Sequence, residues 1–357
     1  MSVGHRLASI LSIGTAVPER GIAQDDAATM ACAVAGDSMD VRALRLLYRR
    51  ARVERRGSVL ADDRGLIPAY SADRPALSTS ERMELYETHA GELACAAAGD
   101  ALVRSGVKPQ SITHLVTASC TGFDAPGVDQ TIVRRLGLGA DVRRTHIGFM
   151  GCHAAVNALA VGAAFARAEA DARVLVCCAE LCTLHFARSG GVDAQVANAL
   201  FADGAAAAVL AASDEGVQIR RFASAIIPGT EELMSWRIGD HGFEMKLSAS
   251  VPEVLASNVP GWVDGWLGAE GLERCDVAHW AIHPGGPKIL STLETTLGLK
   301  KGATDISRQV LARHGNMSSA TVLFLLRRLL EREASGPIVG LAFGPGLAGE
   351  GMLLGRY

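Results

Sequence analysis

Apolar residues recur along this chain in two patterns that alternate. Short β-branched or continuously apolar runs predict strands at Leu7 to Ile13, His114 to Ser119, Ala172 to Cys178, Val277 to Ile282, Ile338 to Phe343 and Gly351 to Gly355. Runs with helical spacing predict helices at Asp25 to Ala35, Ser80 to Arg104, Ala154 to Ala168 and Val322 to Leu330. Ser78 followed by Glu81 has capping-box spacing and marks the start of the second helix. The uninterrupted run Ala172 to Cys178 lacks the alternation of a sheet with one wet face, so it is expected to be covered on both sides. Residues 57 to 77, punctuated by Gly57, Gly65, Pro68 and Pro75, read as loop. Strands alternating with helices predict a layered α/β architecture. The character changes around Ser213-Asp-Glu-Gly216 and the rhythm then repeats, which divides the chain into halves 1–213 and 214–357.

One stretch places chemistry on this pattern. In Thr145-His-Ile-Gly-Phe-Met-Gly-Cys-His-Ala-Ala-Val156, the run His146 to Met150 reads as a short apolar strand, Gly151 as a bend, and Cys152 stands where the helix from Ala154 begins. Unpaired N–H groups and the positive end of the dipole at a helix start favour thiolate over thiol, so Cys152 is expected to be a nucleophile. Taken alone it also reads as a small buried hydrophobe.

Length, composition and charge narrow the setting. The 357 residues are 49% hydrophobic, enough for a large core in two closely packed halves. A net charge of −3 gives no overall polyanion-binding balance. The opening residues, Met1 to Ile10, lack a signal-peptide core and no apolar run reaches membrane-spanning length, so a cytoplasmic protein is expected. Eight cysteines, at 32, 95, 120, 152, 177, 178, 182 and 275, show neither a disulfide framework nor zinc-ligand spacing; no metal is expected, and Cys177, Cys178 and Cys182 read as core or cavity residues. The arginine-rich stretch Arg42 to Arg56 reads either as a solvated helix face or as a grip on a phosphorylated ligand.

Two further residues complete a constellation. His283 lies in Trp280-Ala-Ile-His-Pro-Gly-Gly286, where a strand stops at Pro284, and Asn316 lies in His314-Gly-Asn-Met-Ser-Ser-Ala-Thr321, just before an apolar helix. Cys152, His283 and Asn316 supply a nucleophile, a partner base and a neutral donor. That set suits thioester chemistry: decarboxylation of a malonyl thioester leaves an enolate that needs hydrogen-bond donors and no general base to form it.

Gly151-Cys152-His-Ala-Ala, Ile282-His283-Pro-Gly-Gly-Pro, Gly315-Asn316-Met-Ser-Ser-Ala and Gly344-Pro345-Gly346 resemble, in order, the four signatures of type III polyketide synthases, the chalcone and stilbene synthase superfamily. The resemblance covers nearly the whole chain. It implies a thiolase-like fold of two similar αβαβα halves forming a five-layered core, a homodimer, and iterative condensation of malonyl-CoA onto an acyl-CoA starter, with CoA thioesters as substrates and no cofactor. Cys152 would carry the starter and growing chain, with His283 and Asn316 supporting transfer, decarboxylation and condensation. Phe201 matches a phenylalanine between CoA tunnel and cavity, Gly344, Pro345 and Gly346 match the loop that shapes the cavity floor, Ser318 falls within the substrate-binding third signature, and Arg50 matches the cations that hold CoA phosphates.

Departures from the plant pattern bear on substrate. Met245 stands near the second gatekeeping phenylalanine, with Phe243 two residues away; Trp236 stands where plant enzymes have a glycine, Cys182 and His185 where they have threonines, and Ala125 in place of a methionine that crosses the dimer interface. A small Ala125 makes room for an alkyl tail, and Trp236 shrinks the aromatic pocket. The pattern resembles bacterial synthases making alkylpyrones, alkylresorcinols or small phenolics, from an acyl-CoA (fatty acyl included) or malonyl-CoA starter. Two alternatives are a β-ketoacyl carrier-protein synthase III, which has His-Gln-Ala-Asn where this chain has His283-Pro-Gly-Gly, and a non-catalytic acyl-CoA-binding homologue, which an intact triad disfavours.

Overall fold

The helices expected over Ala154 to Ala168 and Val322 to Leu330 are apolar on nearly every side, and such helices must be covered all round. The computed structural model describes residues 7–35, 39–188, 190–332 and 334–355, and it covers both helices with sheets; the first six residues of the signal-peptide reading lie outside the described residues. Up to residue 212 the chain forms β1 (Ala8–Ala16), β2 (Gly21–Ala23), α1 (Gln24–Ala35), α2 (Val41–Arg50), β3 (Arg55–Gly57), α3 (Thr79–Ser105), β4 (His114–Ser119), α4 (Val128–Leu136), β5 (Arg143–Gly148), α5 (Ala154–Ala168), β6 (Arg173–Leu181), α6 (Val192–Leu200) and β7 (Asp203–Ala212). There follow β8 (Val217–Ile226), β9 (Met234–Gly239), β10 (Gly242–Leu247), α7 (Val251–Gly268), β11 (His279–Ile282), α8 (Pro287–Thr296), α9 (Asp305–His314), α10 (Thr321–Glu331), β12 (Ile338–Gly344) and β13 (Ala348–Gly355).

The main sheet runs β11-β12-β13-β8-β1-β7-β6-β4-β5. Its two parts join at β1 and β8 through the pairs Ser9–Gln218 and Ile10–Val217. The sheet folds over there, so α5 and α10 lie between its parts: Leu159 and Leu323 share one core with Val116 and Val176 on one side and Ala342 and Met352 on the other. A second core packs α3 against the outer face of β6 and β7, and a third packs α7 and α8 against β12 and β13. Helix, sheet, helix pair, sheet and helix are the five layers of a thiolase-like fold. Ala205 to Ala208 of β7 are fully buried, and their small side chains let helices approach both faces.

Two departures from the expected elements matter. The strand ahead of Cys152 is β5, which starts earlier than His146, ends at Gly148 and alternates between exposed and half-buried residues, because it is the open edge of the sheet. Between residues 228 and 276, where no element was expected, β9 and β10 form a separate two-stranded hairpin and α7 follows it. Among the described residues no helix is long and apolar enough to cross a membrane.

Leu323 is fully buried in α10 and Leu46 is 38% exposed on α2. Leu323→Ala is expected to cost about 2–5 kcal/mol and Leu46→Ala about 0.5 kcal/mol or less, a difference that urea midpoints measure directly.

Candidate active site

Cys152 lies in a single tight turn, Gly151–His153, that leads into α5. Gly151 has a φ of +77°, and a Cβ there would stand 2.3 Å from the Cδ of Pro345. Only glycine satisfies both conditions, so the first signature is seated directly on the Gly344-Pro345-Gly346 loop. Gly346 itself has a φ of +70°, and its carbonyl accepts from the Thr230 hydroxyl at 3.0 Å.

His283 follows the last residue of β11, its N–H donating to the Leu341 carbonyl at 2.8 Å. It is 2% exposed, and neither ring nitrogen has a hydrogen-bond partner among the described residues. Asn316 is pinned by its backbone: its N–H donates to Leu200 at 2.8 Å and its carbonyl accepts from Ala202 at 2.9 Å, which sets Phe201 beside it. Its side-chain Oδ1 accepts from the Ser318 N–H at 2.9 Å, and its amide hydrogen-bonds Cys152. Ser318, at a φ of +46°, also hydrogen-bonds Cys152 and stands 3.1 Å from Cys120 Sγ. The structure thus gathers Asn316 and Ser318 around the cysteine, and α5 and α10 both begin there.

The electrostatics differ from the expected thiolate. Although part of Cys152 remains accessible, burial pushes its thiol up to about 12; the Ser318 and Asn316 hydrogen bonds oppose this, and the Glu180 charge adds to it. Burial, helped by nearby His153, brings His283 down to about 3. The resting groups are therefore a thiol and a neutral imidazole. Loss of hydration outweighs the helix terminus because partial dipolar charges cannot replace the water a full charge gives up.

Glu180 was not singled out in the sequence, although a carboxylate inside the apolar run of β6 is the signal for it. It is fully buried and accepts from Cys120 N–H at 3.1 Å, Thr121 Oγ1 at 2.8 Å, Cys120 Sγ at 3.4 Å and Ser319 Oγ. Burial raises its carboxyl above the usual range.

Two spaces of about 630 Å³ each approach the site. One is an apolar groove lined by Leu47, Arg50, Val192, Leu247 and His283, with Arg50 exposed at its side. The other is lined by Cys182, His185, Phe201, Trp236 and Met245 and extends to Met30 and Tyr70. Trp236 pairs across the hairpin with Met245, and its indole N–H donates to the Cys120 carbonyl at 2.7 Å. His185 donates from Nε2 to Thr121 O at 2.7 Å, accepts from Phe243 N–H on Nδ1 at 2.9 Å, and stacks on Phe243 at 4.1 Å. Phe243 and Met245 both line this space, and Phe243 is the aromatic that stacks on His185. Ala125 does not join this cavity within one chain: it is exposed, on the same side as exposed Phe123 and Met150.

A five-layered thiolase-like fold, with Cys152 and Asn316 hydrogen-bonded at the starts of its two central helices and His283 buried at the end of β11, is the architecture of a decarboxylative condensing acyltransferase. The chain belongs to the chalcone and stilbene synthases, the type III polyketide synthases: residues 2–214 match the model of their N-terminal domain and residues 218–356 that of their C-terminal domain. It is 33% identical to the alpha-pyrone synthesis polyketide synthase-like Pks18 of Mycobacterium tuberculosis, over 97% of this chain and 91% of that protein. It is 34% identical to the bisdemethoxycurcumin synthase of rice, Oryza sativa, over 98% and 92%. The structure of PKS-I from the brown alga Ectocarpus siliculosus superposes with a TM-score of 0.94 over all of both chains at 28% identity.

A thiol held near 12 should be alkylated by iodoacetamide at a rate that climbs about tenfold per pH unit from pH 7 to 10. A plateau near neutrality would instead indicate a thiolate. Burial also holds His185 down at about 3. The unfolded chain takes up that proton at about 6.5, so the stability His185 contributes is full above pH 6.5 and falls as pH drops toward 3. His185→Gln should remove about 1.4 kcal/mol per pH unit from the acid slope of unfolding free energy, read by urea titrations between pH 4 and 7.

Proposed function

We propose that this enzyme extends an acyl-CoA starter with malonyl-CoA on Cys152, and that the carrying observation is His283: a buried imidazole with both nitrogens unpartnered at the inner end of the groove. A buried polar group without a partner is costly unless a ligand supplies one, and a thioester oxygen fits. The Cys152 sulfur attacks the starter carbonyl while His283 takes its proton; the CoA sulfur leaves and recovers that proton from His283. Malonyl-CoA then loses carbon dioxide. The enolate oxygen is held by His283 and the Asn316 amide, the carbon attacks the acyl group, and Cys152 leaves as thiolate, ready for the chain to return. Neutral His283 suits the second step, since it donates a hydrogen bond without having to lose a charge.

The groove beside Arg50 suits the pantetheine arm, with Arg50 on the CoA phosphates. The second cavity, past Phe201 and Trp236, takes the growing chain and any alkyl tail; its volume lies in the usual range for a ligand site. We read the product as an alkylpyrone, alkylresorcinol or other small phenolic. The division into halves 1–213 and 214–357 assigns the cysteine to one and the histidine and asparagine to the other. The open edge of β5, with exposed Phe123 and Met150 nearby, favours a cytoplasmic homodimer in which Ala125 faces the partner.

The test is incubation of purified enzyme with labelled malonyl-CoA and a series of acyl-CoA starters, with mass spectrometry of products. Multiply extended products should appear, vanish in Cys152→Ala and fall at least about a hundredfold in Asn316→Ala, the scale of losing one oxyanion donor. Trp236→Ala should shift the distribution toward longer starters or further extensions. Failure with every CoA substrate would overturn the reading.

A further inference from the structure

Residues 42–56 hold seven of the chain's 35 lysines and arginines, in a protein whose net charge is −3. Arg56 is buried and bonded to Gln24 and to the Ala199 carbonyl. The other six, Arg42, Arg45, Arg49, Arg50, Arg52 and Arg55, are exposed. Several exposed arginines elsewhere meet carboxylates, as in Arg20–Asp63, Arg144–Asp129 and Arg237–Glu232, while Arg134, Arg135 and Arg313 do not. Nor do those on α2: among the described residues the side chain of Arg45 reaches only the Thr29 hydroxyl at 3.5 Å, and those of Arg42, Arg49 and Arg50 have no partner.

Folding does not explain this row. Arg49 and Arg50 lie in the last turn, where the helix dipole favours cations, but Arg42 lies in the first turn, where it opposes them. Arg42, Arg45 and Arg49 also repel one another at spacings of three and four. The helix has a second face. Ala43, Leu47 and Arg50 line the same groove as His283, and at 3.6 residues per turn Arg42, Arg45 and Arg49 project from the opposite side. Leu46, 38% exposed, stands among these cations and also touches the groove. Arg50 is the cation on the groove wall, and the outer arginines face away from it.

We propose that this outer face docks an acidic acyl carrier protein, which delivers an acyl group on its phosphopantetheine arm through the groove to Cys152. The inference rests on Cys152 being the acyl acceptor. Charge complementarity selects the partner, Leu46 offers it an apolar contact, and the groove mouth beside the patch admits the arm. In the transfer the Cys152 sulfur bonds to the acyl carbon, the bond from that carbon to the phosphopantetheine sulfur breaks, and that sulfur leaves with the proton Cys152 gave up.

The experiment compares two alkylating probes on the full-length enzyme: CoA ending in a bromoacetamide, and a bacterial acyl carrier protein whose phosphopantetheine ends in the same group. Both should label Cys152 and neither should label Cys152→Ala. The combined variant Arg42→Glu/Arg45→Glu/Arg49→Glu should lose tenfold or more in crosslinking to the carrier protein while its labelling by the CoA probe changes less than twofold; raised salt should slow the carrier reaction of the wild type in the same selective way. The corresponding triple alanine variant, checked by its unfolding midpoint, repeats the comparison if charge reversal impairs folding. Labelling by the CoA probe without carrier crosslinking in the wild type overturns the docking proposal alone, as does an equal loss with both probes, which would assign the arginines to CoA phosphates. Failure of the CoA probe to label Cys152 overturns the proposed function beneath it.

Discussion

The geometry of the site depends on a buried carboxyl group that, among the described residues, has no cation paired to it. Glu180 is held by hydrogen bonds alone, and its donors come from two directions: Cys120 and Thr121 beyond the end of β4, and Ser319 in the turn before α10. The first group carries the carbonyl that receives Trp236, and the second belongs to the same turn as Ser318 and Asn316. One side chain therefore ties the wall of the chain-holding cavity to the donors around Cys152. Its desolvation is unfavourable, and the bonds that offset it are the ones that fix the turn.

The same dryness governs the chemistry. Cys152 and His283 are both driven to their neutral forms, so the site does not store a reactive ion pair while empty. Low effective dielectric strengthens the donor bonds that an enolate oxygen would meet, and those donors are already aimed by backbone contacts of Asn316 to Leu200 and Ala202. Preorganisation and a quiet resting thiol are two results of one burial.

Much of this was legible in residue order, for physical reasons that differ by element. Ala154–Ala168 and His114–Ser119 have the boundaries their apolar patterns give, because the strand is fully buried and the helix buries most of its length against the sheets. The four signatures stood out because their glycines answer steric demands, as Gly151 does against Pro345. The helix start ahead of Cys152 is visible in sequence, but the burial that favours its thiol is contributed by the Pro345 loop and the turn before α10, which are distant in the chain. β9 and β10 escaped notice because a half-exposed hairpin outside the main sheet carries little apolar signal. Ala125 lies at an exposed surface and not in the cavity wall.

That hairpin stands apart from the main sheet. Trp236, Phe243 and Met245 lie on a two-stranded unit paired only within itself, so exchanging them disturbs few ladder bonds of the nine-stranded sheet. Cys152, His283 and Asn316 sit where layers meet: His283 behind β11, Cys152 ahead of α5, Asn316 ahead of α10. A change there propagates into a close-packed core, whereas a change in the hairpin reshapes the cavity at lower cost. The cavity wall and the residues around Cys152 are thus built on parts of the fold with different mechanical support.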